Sequence, residues 1–502
     1  MQRDTTAPAN PTGPWPANPA IYEISTWPWL AELGQRYGRP VALGDVPAAE
    51  WDAVAELGFD AVWLMGVWER SPAGIRIARE HPALQEGYRQ ALPDHTAEDI
   101  VGSPYCIRRY VVDAQLGGPD GLAAARSAIA ARGMRLMLDF VPNHVARDHP
   151  WVAEHPEYFV PGDAADLAAS PDGFFTAGER IIACGRDPYF PAWTDVAQLN
   201  AFDPDLRRAV VATLDDIAAQ CDGVRCDMAM LLISRVFAQT WGARPGPPPA
   251  AEYWQAVIGD VRARHPHFLF AAEAYWDLEW ELQQLGFDYC YDKRLYDRLV
   301  HEDAAAVRGH LTADMGYQAK LLRFIENHDE PRAAGTFPPD KLRAAAVAIA
   351  TLPGARLLFE GQLEGRKVRL PVQLGRFPEE EPDRELRVFY ETLLRAARGI
   401  GMHAAEWRLC ETSGWPDNQR HRYLVAWCWR GERRTLVVAN LSGEESQGRV
   451  HLPWDDLAGR TWTLTDALSG QVFERRGDEL ASSGLYTGLS PWGCHLLTLD
   501  NS

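Results

Sequence analysis

The stretch GLAAARSAIAARGMRLMLDFVPNH, Gly121–His144, settles the architecture. GLAAARSAIAARG, Gly121 to Gly133, reads as an amphipathic helix, and after its glycine the apolar run Leu136–Val141 reads as a buried strand. The same pairing precedes it in the chain, where the helical WDAVAELG, Trp51 to Gly58, leads into Ala61–Leu64. In all, eight short β-branched or apolar runs alternate with helical segments: Ile21–Ile24, Ala61–Leu64, Leu136–Val141, Gly223–Cys226, Phe268–Ala272, Phe287–Tyr291, Leu322–Ile325 and Ala355–Phe359. Eight strand–helix repeats predict an α/β fold closed as a (β/α)8 TIM barrel, not an open doubly wound sheet.

The rest of the 502 residues follows from that frame. Residues 1–19, rich in Pro and Ala, read as an irregular leader that packs on the surface. The barrel takes 20–144 and 219–400. Between them, 145–218 is long and rich in Pro, Gly and aromatics, which fits a small inserted subdomain better than a structureless loop. From 401 to 502 the texture changes. YLVAWCW, RTLVVANLS and CHLLTL alternate with turn signals and predict a C-terminal antiparallel β-sandwich whose role is structural support.

Composition excludes several classes. With 46% hydrophobic and 24% charged residues the chain is globular, not disordered or fibrous. Fifty Lys and Arg against 69 Asp and Glu give a net charge of −19, with no basic run, so neither nucleic acid nor an anionic membrane is an expected partner. The opening MQRDTTAPANPTGPWPANP has no apolar core of a signal peptide, and the cytoplasm is the expected location. Eight cysteines show no zinc-type spacing, and Cys221 and Cys226 read as structural thiols.

In a barrel of this kind chemistry is carried at the C-terminal ends of the strands. There the sequence places LMLDFVPNH, GVRCD (Gly223–Asp227), FLFAAE (Phe268–Glu273) and FIENHD (Phe324–Asp329). One acidic residue at a strand end is ordinarily a cap or a solvated group, and Asp139 is read as such a structural carboxylate. Convergence of Asp227, Glu273 and Asp329 is a stronger signal. Arg225, two residues before Asp227, shares its face of the strand and is expected to keep it ionised. A carboxylate beside a more buried carboxyl is what retaining glycoside hydrolysis needs. Asp227 is the candidate nucleophile, and Glu273, flanked by Ala271, Ala272, Ala274, Tyr275 and Trp276, the candidate acid/base. Asp329 with His328 is expected to grip sugar hydroxyls and distort the ring. His144 and His328 are read as neutral imidazoles that bond hydroxyls rather than as metal ligands, since no HExxH spacing exists. Trp193, Trp276, Tyr105 and Tyr189 fall in top-face loops where rings can stack on sugars.

These segments resemble the α-amylase family of glycoside hydrolases (family 13), from about Ile21 to the last strand. LDFVPNH, DGVRCD, AAEAYW and ENHD are similar to its four signatures in order, and QLNAFDPDLR (Gln198–Arg207) to the signature that precedes the fourth strand. GSPYCIRRYVVDAQLGG (Gly102–Gly118) resembles the segment whose tyrosine, here Tyr105, stacks on the sugar at the cleavage point, and EGQLEG (Glu360–Gly365) the segment after the eighth strand. The resemblance implies catalysis by Asp227, Glu273 and Asp329 in a double displacement on an α-linked glucoside, with Tyr105, His144, Arg225 and His328 binding substrate. It implies a small-molecule carbohydrate as partner and no cofactor for the chemistry. A structural calcium at Asn143 is the one metal it raises.

Two departures bear on substrate. Met230 and Leu231 follow the nucleophile where many α-amylases have Lys and His. Cys106 follows Tyr105 where many exo-acting glucosidases have Asp. The first points away from a long-glucan endo-amylase and toward a pocket that accepts a small or partly apolar leaving group, although core packing explains Met230 and Leu231 equally, and the second points away from an ordinary exo-acting glucosidase. A glucosyl transferase using the same covalent intermediate is the alternative. A non-catalytic sugar-binding protein on this fold is a third reading, and it would be expected to have lost a carboxylate.

Overall fold

Eight strands close into a parallel barrel in the computed structural model, which describes residues 13–501. They are β1 (Ala20–Ser25), β2 (Ala61–Met65), β3 (Arg135–Phe140), β4 (Gly223–Cys226), β5 (Leu269–Ala272), β6 (Tyr289–Tyr291), β7 (Leu321–Arg323) and β8 (Ala355–Phe359). Each predicted run supplies one of them, and β1 closes the ring against both β2 and β8.

The strands are apolar on both faces because both faces are covered. In β2, Ala61, Trp63 and Met65 join the barrel interior, while Val62 and Leu64 pack outward with the helices. The inward row changes character along each strand. Ile21 is followed by Glu23, Met137 by Asp139, and Leu269 and Ala271 by Glu273, so an apolar plug at one end gives way to charge at the other. Gly223 opens β4 without a side chain because β5 runs too close: an added Cβ would lie 2.9 Å from the Leu269 carbonyl oxygen.

Residues 13–19 cross the N-terminal end of the barrel. Arg135 donates to the carbonyls of Gly13 and Pro14, with Trp15 packed against its guanidinium, and the Asn18 side chain ties Met402 to Gly354. Residues 13–19 are the last part of the leader expected over 1–19, whose residues 1–12 lie outside the described residues.

Between β3 and β4 an antiparallel sheet is built from His144–Ala146, Pro161–Gly162, Phe174–Ala177, Arg180–Gly185 and Trp193–Gln198. The insertion predicted over 145–218 is shorter than that. Helix Pro204–Ala218, capped by Asp203, packs through Leu206, Val210, Leu214 and Ile217 against helix Tyr253–Arg264, as the barrel helix that leads into β4. A second excursion, after β2, carries helices Pro72–Glu80 and Pro82–Ala91.

The C-terminal strands are β9 (Glu406–Ser413), β10 (Leu424–Arg430), β11 (Arg434–Asn440), β12 (Ser446–His451), β13 (Thr461–Asp466), β14 (Val472–Arg476), β15 (Leu485–Leu489) and β16 (Cys494–Asn501). They pair antiparallel in the order β14-β13-β16-β11-β10-β9-β12-β15. β9 belongs to both layers, with residues 406–410 on β10 and 411–413 on β12. Alternation along β10 explains the tryptophans of this region. Leu424, Ala426 and Cys428 face the sandwich core, while Val425, Trp427 and Trp429 face the barrel. Trp427 and Trp429 donate their indole N–H groups to the Thr351 hydroxyl and carbonyl, so they are interface residues and not exposed rings.

All eight cysteines are free thiols, and Cys221 and Cys226 are buried. Among the described residues no helix is long and apolar enough to cross a membrane.

Candidate active site

β4 and β5 sit in register with Arg225 beside Ala271 on one side and Asp139 of β3 on the other. One residue beyond their ends, Asp227 and Glu273 project over the barrel mouth. The backbone N–H of Asp227 bonds the Phe140 carbonyl, and that of Glu273 bonds the Cys226 carbonyl. Both carboxyl groups are therefore fixed by the sheet before any side-chain contact is made.

The Arg225 guanidinium is buried and joins the acids. Nη1 donates to Asp227 Oδ1 at 2.7 Å, while Nη2 lies 2.8 Å from Glu273 Oε2 and 3.5 Å from Asp329 Oδ2. The rings of Tyr105, Trp63 and Tyr291 surround it, and Nε donates to the Tyr291 hydroxyl at 3.4 Å. A guanidinium is suited to this task, since its planar fork carries several donors and keeps its charge when desolvated.

Glu273 receives two more bonds, from the Met228 N–H at 2.6 Å and the Tyr275 hydroxyl at 3.1 Å. Burial pushes its carboxyl up to about 7; Arg225 opposes this, and the charges of Asp227 and Asp329 add to it. Met228 reaches its position with a left-handed φ of 44°, and Trp276 and Asp277 follow at 63° and 61°. Strained non-glycine backbone on both sides of one carboxyl is characteristic of functional sites.

Asp329 is about one-third exposed (34%) and faces the cavity. Burial would raise its carboxyl, but His328, with Nε2 2.8 Å from Oδ2, and Arg225 hold it well below the usual carboxylate range. Burial would likewise lower His328; Asp329 and Glu23 outweigh it and bring the imidazole up to about 10. His328 is thus an imidazolium, not the neutral ring expected from sequence. Both of its nitrogens are taken by protein groups: Nδ1 is bonded to Glu23, and Nε2 is shared between Asp329 and the Tyr105 hydroxyl at 2.5 Å. Arg225 is likewise spent on carboxylates rather than open to substrate.

Tyr105, His144, Asp227, Glu273 and Asp329 line one cavity of about 490 Å³ together with Trp193 and Tyr275. Its far wall is Ile77, Ala78, His81 and Leu84 of the helices after β2, which sequence reasoning did not place there. His144 is buried against Trp193 and lowered by that burial. A second cavity of about 420 Å³ shares Met228 and Tyr275 with the first and adds Phe190, Trp276, Asp187, Asp277, Glu279, Asp297, Lys293 and Arg294. Tyr189 packs edge-on against Trp276. Met230 and Leu231 line neither cavity; they are buried in the core, which removes the inference drawn from them about a leaving group.

Asp139 does bridge strand to loop, accepting the Gly66 N–H at 2.9 Å, and burial raises it to about 6. Asn143, the residue raised for calcium, is engaged with Gln198: its amide donates to Gln198 Oε1 at 3.2 Å and its oxygen accepts from Gln198 Nε2 at 3.0 Å. Calcium takes six to eight oxygen ligands, commonly with several carboxylates. Among the described residues no group of three His, Cys, Asp or Glu side chains is placed to hold a metal ion.

The residues that sequence reasoning missed are Glu23 and the two groups that bond Glu273, Met228 and Tyr275. Glu23 had a signal. In AIYEIS the inward parity of Ile21 falls also on Glu23, a carboxylate inside an otherwise apolar strand.

The family model for the α-amylase catalytic domain matches residues 49–284, which include Asp227, Glu273 and the insertion. The matched segment carries an α-amylase catalytic domain. Among curated relatives, the α-amylase MalA of Haloarcula japonica is 27% identical over 363 residues, covering 71% of this chain and 45% of that protein. An α-1,4-glucan:maltose-1-phosphate maltosyltransferase of Burkholderia pseudomallei is 28% identical over 254 residues, or 49% of this chain and 19% of that protein. The chain thus spans less than half the length of these curated relatives. The fold is shared along nearly its whole length with two solved α-amylase-family structures. The noncanonic maltogenic α-amylase AmyB of Thermotoga neapolitana gives a TM-score of 0.67 at 17% identity, covering 96% of this chain and 98% of that one. The α-amylase of Geobacillus thermoleovorans gives 0.66 at 17%, covering 97% and 99%.

Proposed function

We propose that this protein is a retaining glycosidase that cleaves α-glucosidic bonds in small glucosides or oligosaccharides by double displacement. The observation that carries the reading is Arg225, one guanidinium holding Asp227 at 2.7 Å and Glu273 at 2.8 Å. Two carboxyl groups anchored on adjacent nitrogens favour the short spacing of a retaining pair, about 5–5.5 Å, over the wider gap that admits a water.

In this reading Asp227 attacks the anomeric carbon while Glu273, held protonated near neutrality by its burial, gives its proton to the leaving oxygen. The carboxylate of Glu273 then takes a proton from the incoming water, which releases the sugar from Asp227. Asp329, fixed by His328, bonds the hydroxyls of the glycone, and its charge faces the oxocarbenium-like transition state. Tyr105 and Trp193 supply ring faces, and His144 a bond to a hydroxyl.

The second cavity adjoins Glu273 through Tyr275 and is assigned to the leaving group. It holds four acidic residues against Lys293 and Arg294. Lys293 is already paired with Asp297 and Glu330, and Arg294 with Asp277. A phosphate would meet a negative field there, so a neutral glycoside is the proposed donor and not a sugar phosphate. The same chamber would seat a hydroxyl acceptor, which is the transfer reaction. The unpaired thiols fit a reducing compartment such as the cytoplasm.

The test is the configuration of the first-formed product, followed by proton NMR on aryl α-glucosides and maltooligosaccharides, with and without added acceptor. Free α-sugar is expected; β-sugar as first product, or no turnover on any α-glucoside, overturns the reading.

A further inference from the structure

We propose that Glu23 is a positioning residue of this site: acting through His328, it holds Asp329 and Tyr105 in the state in which they meet the substrate. The proposal rests on the reading of Asp329 given above. Glu23 lies on β1 and His328 305 residues away after β7, so the contact joins two strands that do not pair with each other. Glu23 is fully buried; Oε1 bonds His328 Nδ1, and Oε2 has no partner. A buried carboxylate costs several kcal/mol to desolvate, and here its one compensation is the imidazole.

Ring orientation does not need Glu23. The Trp63 ring meets His328 edge-on at 5.5 Å, and Tyr105 stacks on it at 5.5 Å and 30°. Two aromatic walls already fix the plane of the imidazole. What Glu23 adds is a negative charge behind Nδ1, which keeps a proton on both ring nitrogens. Nε2 then always donates, and its partners are the groups that face the cavity: Asp329 and Tyr105. Without that charge Nε2 could lose its proton, and Asp329 would lose its closest cation.

Other charges around the ring do not replace it. Arg225 of β4 is shared by three carboxylates, Asp139 of β3 is bonded to Gly66, and Glu326 of the β7 end is bonded to Arg332. Tyr291 of β6 meets Arg225. Arg70, Arg332 and Arg369 line a small cavity beside His328 and favour its neutral form, against which Glu23 works.

The test follows the histidine signals of the full-length protein by 15N NMR, with His328→Asn used for assignment, and compares wild type with Glu23→Gln. In the wild type, His328 is expected to stay an imidazolium from pH 5 to 9. In Glu23→Gln, which keeps shape and an acceptor, its titration is expected to enter that range. At pH 6 to 7, kcat is expected to drop on the order of tenfold, with KM changed less, because the ion pair between His328 and Asp329 has lost its cation. Wild-type His328 titrating below pH 8, or Glu23→Gln with unchanged titration and kcat, overturns the proposal. The NMR arm does not depend on turnover, so an error in the proposed reaction would remove only the kinetic arm. If Glu23→Gln does not fold, Glu23→Asp, which retracts the charge by one methylene, carries the same comparison.

Discussion

Arg225 Nη2 stands 2.8 Å from Glu273 Oε2, yet Glu273 is the carboxyl that burial raises to about 7. The cation is divided among three acids, so Glu273 receives part of its field while bearing the full cost of desolvation and the repulsion of Asp227 and Asp329. That division is what separates an acid from a nucleophile among neighbouring carboxyl groups.

Replacing Arg225 should therefore be costly in a specific way. Arg225→Lys keeps a charge but cannot reach Asp227 and Glu273 at once. We expect kcat/KM to fall by about 10²–10³, the cost typical of removing one preorganised donor from a site of developing charge, while the fold persists. Steady-state kinetics with circular dichroism on the same sample checks both halves.

The two acids should respond differently to small nucleophiles. Asp227→Ala is expected to abolish turnover and to give β-glucosyl azide when azide is supplied. Glu273→Ala should retain the first step on activated aryl glucosides and give α-glucosyl azide. Product NMR distinguishes the outcomes, and the opposite pairing would exchange the assignments.

Activity and stability should both fall on the alkaline side. Glu273 must carry a proton to act, so kcat/KM is expected to decline about tenfold per pH unit above about 7. For stability the relevant groups are Glu279 and Glu360, which burial raises from 4.5 to about 7 and about 8. A raised carboxyl binds its proton more tightly in the folded than in the unfolded chain. Its contribution is complete below about pH 4.5 and is lost as pH climbs through the folded value. Thermal melts from pH 5 to 9 should show a falling Tm, and Glu360→Gln should flatten the slope.

The aromatic rim of the second cavity should govern leaving groups. Phe190 is 65% exposed and Trp276 sits over the strained turn after Glu273. Trp276→Ala is expected to raise KM for maltooligosaccharides by roughly threefold to tenfold, the worth of one aromatic contact, while leaving small aryl glucosides nearly unchanged.

The C-terminal domain should matter for stability alone. Trp429→Ala removes a buried ring and leaves the Thr351 carbonyl without its donor, a loss of about 3–5 kcal/mol. A lowered denaturation midpoint with unchanged kcat at low temperature is the expected result.

Local pattern carried most of the architecture. Eight apolar runs separated by helices, and three acids with an arginine at strand ends, are properties of neighbouring residues, and strand parity alone places Arg225 beside Asp227. Neither the charge state of His328 nor the choice between pocket and core for Met230 and Leu231 could be settled there. Periodicity reports which face a side chain takes, not what waits on that face. The partner of His328 is 305 residues distant, and the wall of Ile77, Ala78 and Leu84 comes from an excursion with no mark of function. Desolvation and Coulomb energy depend on distances in space, so the elements were legible from order along the chain, while proton affinities and cavity walls arose only when the barrel closed.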